Sequence, residues 1–183
     1  MASSELILDR DSDRPVLRAE DVSHSWQDHI GSREALRNVS VEFNSGIAHF
    51  ICGPSGAGKS TLGMALAGLI SPTRGRVCLN NLEIAHYRAH IAYLFQFPEA
   101  IFFSDSVGKE LEDICAGRSE FQKGAFDRVG VSFEEIEHRH PFTLSEGYAR
   151  LTALAMQFAR QPDVLILDEP TIGLDWKHQE RVI

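Results

Sequence analysis

The sequence predicts an α/β fold organised around a phosphate-binding loop, and three stretches predict it. Gly53-Pro54-Ser55-Gly56-Ala57-Gly58-Lys59-Ser60-Thr61 fits the pattern G-x-x-x-x-G-K-[ST]. It lies between an apolar run, residues 47–52, and an Ala-rich run, residues 62–69, which read as a buried strand and a helix. A second apolar run, Val164-Leu165-Ile166-Leu167, ends in two acids, Asp168 and Glu169. Between these runs, residues 99–139 turn helical and amphipathic, with Val107, Leu111 and Ile114 along one face.

Strand, glycine loop and helix in that order are the context in which such a loop binds phosphate. Gly53, Gly56 and Gly58 let the backbone turn tightly and aim its N–H groups at a polyphosphate, and the following helix adds its positive dipole end. Lys59 is placed to reach the β- and γ-phosphates, and the Ser60 hydroxyl to sit on Mg²⁺. Pro54, Ser55, Ala57 and Thr61 complete the nucleotide-binding loop. A glycine-rich turn with a merely solvated lysine would not explain the flanking elements.

At 183 residues the chain is long enough to bury one substantial core. Its formal charge of −8 argues against a general grip on nucleic acid, which shows a basic patch or stripe. The three cysteines, Cys52, Cys78 and Cys115, follow no metal spacing. Cys52 and Cys78 sit in apolar runs, which suits buried, reduced thiols in the cytosol. No apolar run approaches the length of a membrane span and no signal-peptide pattern opens the chain, so any work at a membrane is expected through docking.

In chain order, residues 1–15 read as a flexible polar arm. Strand-like pieces follow at 16–18, 21–24 and 36–43, with a turn at 27–32. Trp26 precedes that turn, where an exposed ring can stack on a nucleotide base. Residues 76–79 and 91–95 are further strand candidates. Glycines 117, 124 and 130 divide the amphipathic stretch into helices. Residues 144–161 form another helix, opened by Ser145 and stopped before Pro162. The acidic tip of 163–169 lies where open α/β sheets bind ligands, with Asp168 placed to hold Mg²⁺ and Glu169 to polarise an attacking water. His138-Arg139-His140-Pro141 reads as a polar loop.

Together these pieces resemble an ATP-binding-cassette ATPase over essentially all of the chain after residue 15. Leu144-Ser145-Glu146-Gly147-Tyr148 stands where that family has its L-S-G-G-Q signature, and Asp168-Glu169-Pro170-Thr171-Ile172-Gly173-Leu174-Asp175 is similar to its D-E-P-T-x-x-L-D run. Gln96 matches the glutamine that senses Mg²⁺ and the membrane partner, and Trp26 the aromatic that stacks on adenine. Phe95-Gln96-Phe97-Pro98-Glu99 followed by Ile101-Phe102-Phe103 resembles the energy-coupling-factor group, the ATPases of metal and vitamin importers.

The resemblance implies a phosphate-loop NTPase core (16–97 and 155–183), an antiparallel β subdomain and an inserted helical subdomain (98–154). It also implies ATP and Mg²⁺ as cofactors, and a second cassette ATPase subunit bound head to tail. Ser145, Gly147 and Asp175 then face the nucleotide across that pair, and Glu169, Lys59 and Gln96 serve hydrolysis. An integral membrane transporter subunit would dock its coupling helix on the Gln96 loop and residues 107–114. The implied location is cytoplasmic, peripheral on the inner face of the cell membrane, with no nucleic acid involved.

Two features depart from the family. Glu146 and Tyr148 replace glycine and glutamine of the signature, and Leu151 stands where a basic residue is usual. A carboxylate near a partner's γ-phosphate is repelled, so the site completed by this signature is expected to be weakened. The family also continues through a further strand and a histidine beyond residue 183, so the fold is expected to be C-terminally incomplete. Two other functions stay open: a soluble cassette ATPase with mechanical or regulatory work, and an assembly module that holds ATP but turns over little.

Overall fold

One long antiparallel hairpin opens the structure, β1 (Pro15–Asp28) and β2 (Gly31–Asn44). The computed structural model describes residues 15–29, 31–86, 88–97, 101–115 and 122–182. The expected N-terminal arm therefore lies almost wholly outside the described residues, as do Pro98, Glu99 and the expected break at Gly117. The chain divides into two units, Met1–Arg88 and Ala89–Ile183.

In the first unit, Leu17, Ala19 and Val22 of β1 are buried together with Leu36 of β2. The two strand pieces expected at 16–18 and 21–24 are one strand, because a register shift between Ala19 and Val22, with Asp21 at φ 49, absorbs the break in alternation. The turn is tighter than expected, since Gln27 pairs with Ser32 and Asp28 with Gly31. β3 (Arg74–Leu79) joins the other edge of β1, and β4 (Leu82–Glu83) pairs with β3. Asn80 and Asn81, both at positive φ, make the two-residue turn between them. The sheet order is β2-β1-β3-β4, the expected antiparallel β subdomain. Helix α1 (Lys59–Leu66) follows the glycine loop, as the motif requires.

Residues 47–52 are not a buried strand. They make no ladder with any described strand, and Ile47, Phe50 and Ile51 are exposed, as is Cys52. An unbroken apolar run specifies a strand only when neighbours lie along both of its edges. Among the described residues none does. Cys78 and Cys115 are the buried thiols.

In the second unit, β5 (Ile91–Leu94) and β6 (Val164–Leu167) pair in parallel, from Ile91 with Val164 to Leu94 with Leu167. β6 is half-buried along its length rather than buried on both faces, because β5 is its one described neighbour. The helices are α2 (Val107–Cys115), α3 (Gln122–Val129), α4 (Phe133–Ile136), α5 (Glu146–Ala159) and α6 (Trp176–Val182). Gly124 sits inside α3 instead of breaking it, while Gly130 closes it. Val107, Leu111, Phe126, Ile136, Leu151, Leu154 and Met156 share one core with Leu94. The apolar face of α2 is thus spent inside its own unit. Among the described residues, no helix is long and apolar enough to cross a membrane.

Candidate functional site

The phosphate loop of the first unit is held open by its own backbone. The Ala57 N–H donates to Pro54 O at 3.2 Å, and Gly56 and Gly58 have φ of 78° and 90°. At Gly58 a Cβ would lie 2.4 Å from the backbone oxygen of Ala35, so only glycine fits where the loop crosses β2. Helix α1 then starts with no side-chain cap and no acidic residue in its first turn. Its first N–H groups are therefore available to an anion, with the helix dipole behind them.

Lys59 Nζ donates to Gly53 O and Pro54 O, each at 3.0 Å, so the ammonium lies across the loop. Ser55 and Ser60 are exposed. Trp26 Nε1 donates to Thr61 Oγ1 at 3.2 Å, and the His24 ring stands edge-on to the indole at 4.8 Å. These contacts fix the ring against the first turn of α1 while leaving it 41% exposed, so a planar base can still stack on it. Arg33, the cross-strand partner of Trp26, brings Nη2 to 3.8 Å from the position of a Cβ at Gly56. Sequence reasoning missed this cation, because its place depends on the hairpin register.

In the second unit, the tips of β5 and β6 bring four polar side chains together. The Asp168 N–H donates to Leu94 O at 3.0 Å, which extends the ladder to the acidic pair. Tyr93, buried, donates its hydroxyl to Asp168 Oδ2 at 3.0 Å. Burial, then the neighbouring Asp168 charge, pushes the Tyr93 phenol far above its ordinary range, so it stays a donor. Gln96 Nε2 donates to Glu169 Oε2 at 2.7 Å. Glu169 itself has φ 51, a left-handed backbone that a glutamate adopts only at some cost.

Helix α5 supplies the remaining groups. Ser145 caps it, its Oγ accepting from the Tyr148 N–H at 3.4 Å, as the sequence predicts for the residue that opens this helix. Gly147 runs close to the next loop, where a Cβ would come 3.4 Å from Gly173 O. The carboxylate of Glu146 lies over Gly173, 3.0 Å from the place of a Cβ there, and 3.9 Å from Arg150. It turns along its own chain. Asp175 caps α6, accepting from the His178 N–H at 3.0 Å and facing His178 Nδ1 at 2.8 Å. Arg150, fully buried, donates to Gln96 O at 2.8 Å and Glu169 O at 3.2 Å. Neither Tyr93 nor Arg150 was singled out from the sequence. Tyr93 falls on the strand before Gln96, and that adjacency was the one available signal.

The oxygen donors named for Mg²⁺ are a hydroxyl, Ser60, in the first unit, and a carboxylate and an amide, Asp168 and Gln96, in the second. All are hard ligands of the kind Mg²⁺ takes. Among the described residues, no group of three or more His, Cys, Asp or Glu could hold a metal by itself. Magnesium shared with substrate phosphates needs no such cage.

Several known proteins resemble this chain in sequence and in fold. A curated relative, the energy-coupling factor transporter ATP-binding protein EcfA2 of Thermotoga maritima, is 38% identical over 170 residues, covering 87% of this chain and 64% of its own length. The EcfA2 of Listeria monocytogenes is also 38% identical, covering 82% of this chain and 58% of its own. This chain thus spans less than two thirds of these relatives. Among solved structures, CbiO1 of Clostridium perfringens, part of the ABC transporter complex CbiONQ, matches with a TM-score of 0.73 at 27% identity, over 92% of this chain and 70% of that one. A bacterial Atm1-family ABC exporter with ATP bound gives 0.80 at 26%, over 93% of this chain and 32% of that one. A dimeric ATP-binding cassette bound to ADP and Pi gives 0.79 at 23%, over 91% and 79%, a likeness of fold. The family model described as ABC transporter matches residues 36–172, from the middle of β2 past the Asp168–Glu169 pair, and by that match the chain belongs to the ABC transporter family.

Proposed function

We propose that this chain binds Mg-ATP and hydrolyses it as the energy-coupling ATPase subunit of an importer for a metal ion or vitamin. The observation that carries the reading is the Gln96–Glu169 pair at 2.7 Å on the tips of two parallel strands, next to an Asp168 held by Tyr93. It supports the reading because Glu169, oriented by Gln96, adjoins Asp168, oriented by Tyr93. In this reading the loop amides after Cys52 and Lys59 hold the phosphates, and Trp26 stacks on the base. Ser60 in the first unit, and Asp168 and Gln96 in the second, would each serve as a magnesium ligand, and magnesium when bound would neutralise charge developing on the phosphates. Glu169 accepts a hydrogen bond from the attacking water and raises its nucleophilicity.

The names of the curated relatives support the energy-coupling-factor assignment. A second cassette is the expected head-to-tail partner, with Ser145 and Gly147 facing its nucleotide. An integral membrane subunit is the second partner, which puts the chain on the inner face of the cell membrane. Phe97, Phe103 and Phe142 are 61%, 89% and 64% exposed, and they are the apolar side chains such a subunit would cover. Phe103 is held firmly, because buried Glu110 accepts from its N–H at 2.8 Å and from that of Ser104 at 2.6 Å.

Glu169→Gln should keep Mg-ATP binding while turnover falls at least about 100-fold, and Lys59→Ala should lose binding. A parent protein that binds Mg-ATP without hydrolysing it in the presence of its partners would favour the assembly-module reading, for which Glu146 and Tyr148 in the signature speak.

A further inference from the structure

The unusual feature of the second unit is a cation buried among backbone carbonyls. Arg150 lies on the second turn of α5, only 1% exposed, and among the described residues the carboxylate paired with it is that of Glu146, at 3.9 Å. Its guanidinium instead spans two segments far apart in sequence, donating to Gln96 O and Glu169 O. Those two residues are themselves joined by the Gln96 Nε2 to Glu169 Oε2 bond. The three side chains and two carbonyls thus close a ring. Burying a guanidinium is costly unless its donors are met, and its Nε is left without a partner. Core filling alone would be served better by an apolar residue, as at the adjacent Leu151.

Geometry says what the ring does. Glu169 is held at φ 51, and a strained backbone persists only where its surroundings over-determine it. The bond to its carbonyl is such a restraint. The planar fork of an arginine holds two carbonyls in one fixed geometry, whereas the rotatable ammonium of a lysine fixes no such spacing. Because α5 begins at Glu146, one turn before Arg150, the fork also ties the Ser145–Gly147 end of the helix to both segments.

We propose that Arg150 is a positioning residue: it sets the height and backbone conformation of Glu169 and Gln96 relative to the start of α5. Movement of that helix end is passed to the hydrolytic carboxylate through two hydrogen bonds. The proposal rests on the ATPase reading for its consequence in turnover, but not for its geometry.

The test uses the full chain with Arg150→Lys and Arg150→Met, reading amide hydrogen exchange, Mg-ATP affinity and turnover. Exchange in peptides covering residues 94–97 and 168–172 should rise about fivefold or more in Arg150→Met, with less change in Arg150→Lys, while peptides from α3 stay at the parent rate. Affinity for Mg-ATP should stay within about threefold while turnover falls by about 100-fold in Arg150→Met, because a displaced catalytic group costs rate rather than binding. Partial recovery in Arg150→Lys is expected. Unchanged exchange in the two segments, uniform loosening of the unit, a parallel loss of affinity and turnover, or unfolding of both variants overturns the proposal. A parent that does not bind Mg-ATP sinks the ATPase reading, and the exchange measurement still decides the positioning role.

Discussion

The bond from Tyr93 to Asp168 makes a quantitative prediction for Tyr93→Phe. The hydroxyl is buried and donates to a carboxylate, so its removal should cost about 1.5–3 kcal/mol of stability, the usual range for a hydrogen bond to a charged group. The same bond makes the loss depend on pH. The phenol is raised above its ordinary value of 10.0 in the folded protein, mainly by burial. A group raised on folding stabilises below its unfolded pKa and loses that contribution as pH climbs toward the folded one. Above pH 10 the unfolded chain releases the proton while the folded chain keeps it, so the parent should lose up to about 1.4 kcal/mol per pH unit through this residue. The variant has no such proton. Urea unfolding of parent and variant at pH 8 and pH 11 isolates the effect, since every other tyrosine cancels in the difference. The gap should narrow by roughly 1 kcal/mol at pH 11. A gap that is absent at pH 8, or equally wide at pH 11, refutes the bond.

Three further substitutions test other contacts. Gly58→Ala forces a Cβ to 2.4 Å from Ala35 O at φ 90, so Mg-ATP binding measured by calorimetry should be lost while the second unit keeps its exchange protection. Trp26→Ala should weaken binding about tenfold through lost base stacking, with Trp26→Phe within about threefold of the parent in a fluorescent-nucleotide titration. Glu110→Ala leaves the amides of Phe103 and Ser104 unpaired, so it should lower stability by about 3 kcal/mol in a denaturant melt.

Much of this was legible in the sequence because local rules decided it. The glycine loop, the helix that follows it, the Ser145 cap and the β6 run ending in Asp168 and Glu169 each follow from chemistry within a few residues. What depended on neighbours was not. Residues 47–52 carry the composition of a buried strand, yet a strand exists only with a partner, and none of the described residues supplies one. β1 reads as two pieces because a bulge at Asp21 interrupts its alternation, and only pairing with β2 and β3 reveals a single strand. The Asn80-Asn81 turn could have been recognised as a hairpin signal between β3 and β4. The apolar stripe of α2 does not say what it packs on, and the structure gives it a core shared with α3 and α5. Arg33 and Arg150 were invisible for a deeper reason: their partners are a glycine loop and two carbonyls that lie far away in sequence.

The signature shows why the repulsion expected of Glu146 depends on where its carboxylate points. A carboxylate at 146 would repel a partner's γ-phosphate if it faced that way. In the structure the Glu146 side chain lies over Gly173 and 3.9 Å from the buried guanidinium of Arg150, so its charge is directed into its own chain. The Glu146 side chain is 69% exposed, and a carboxylate so solvated, at 3.9 Å, contributes about 0–1 kcal/mol, too little to restructure the helix when removed. Arg150 keeps its two carbonyl partners whether or not Glu146 is present. Glu146→Gly should therefore change turnover by less than about threefold and leave the melting transition nearly unmoved. A large rise in rate on restoring glycine would mean that the carboxylate does reach the phosphate of the opposing cassette. The self-directed placement seen here would then be abandoned for the assembled pair.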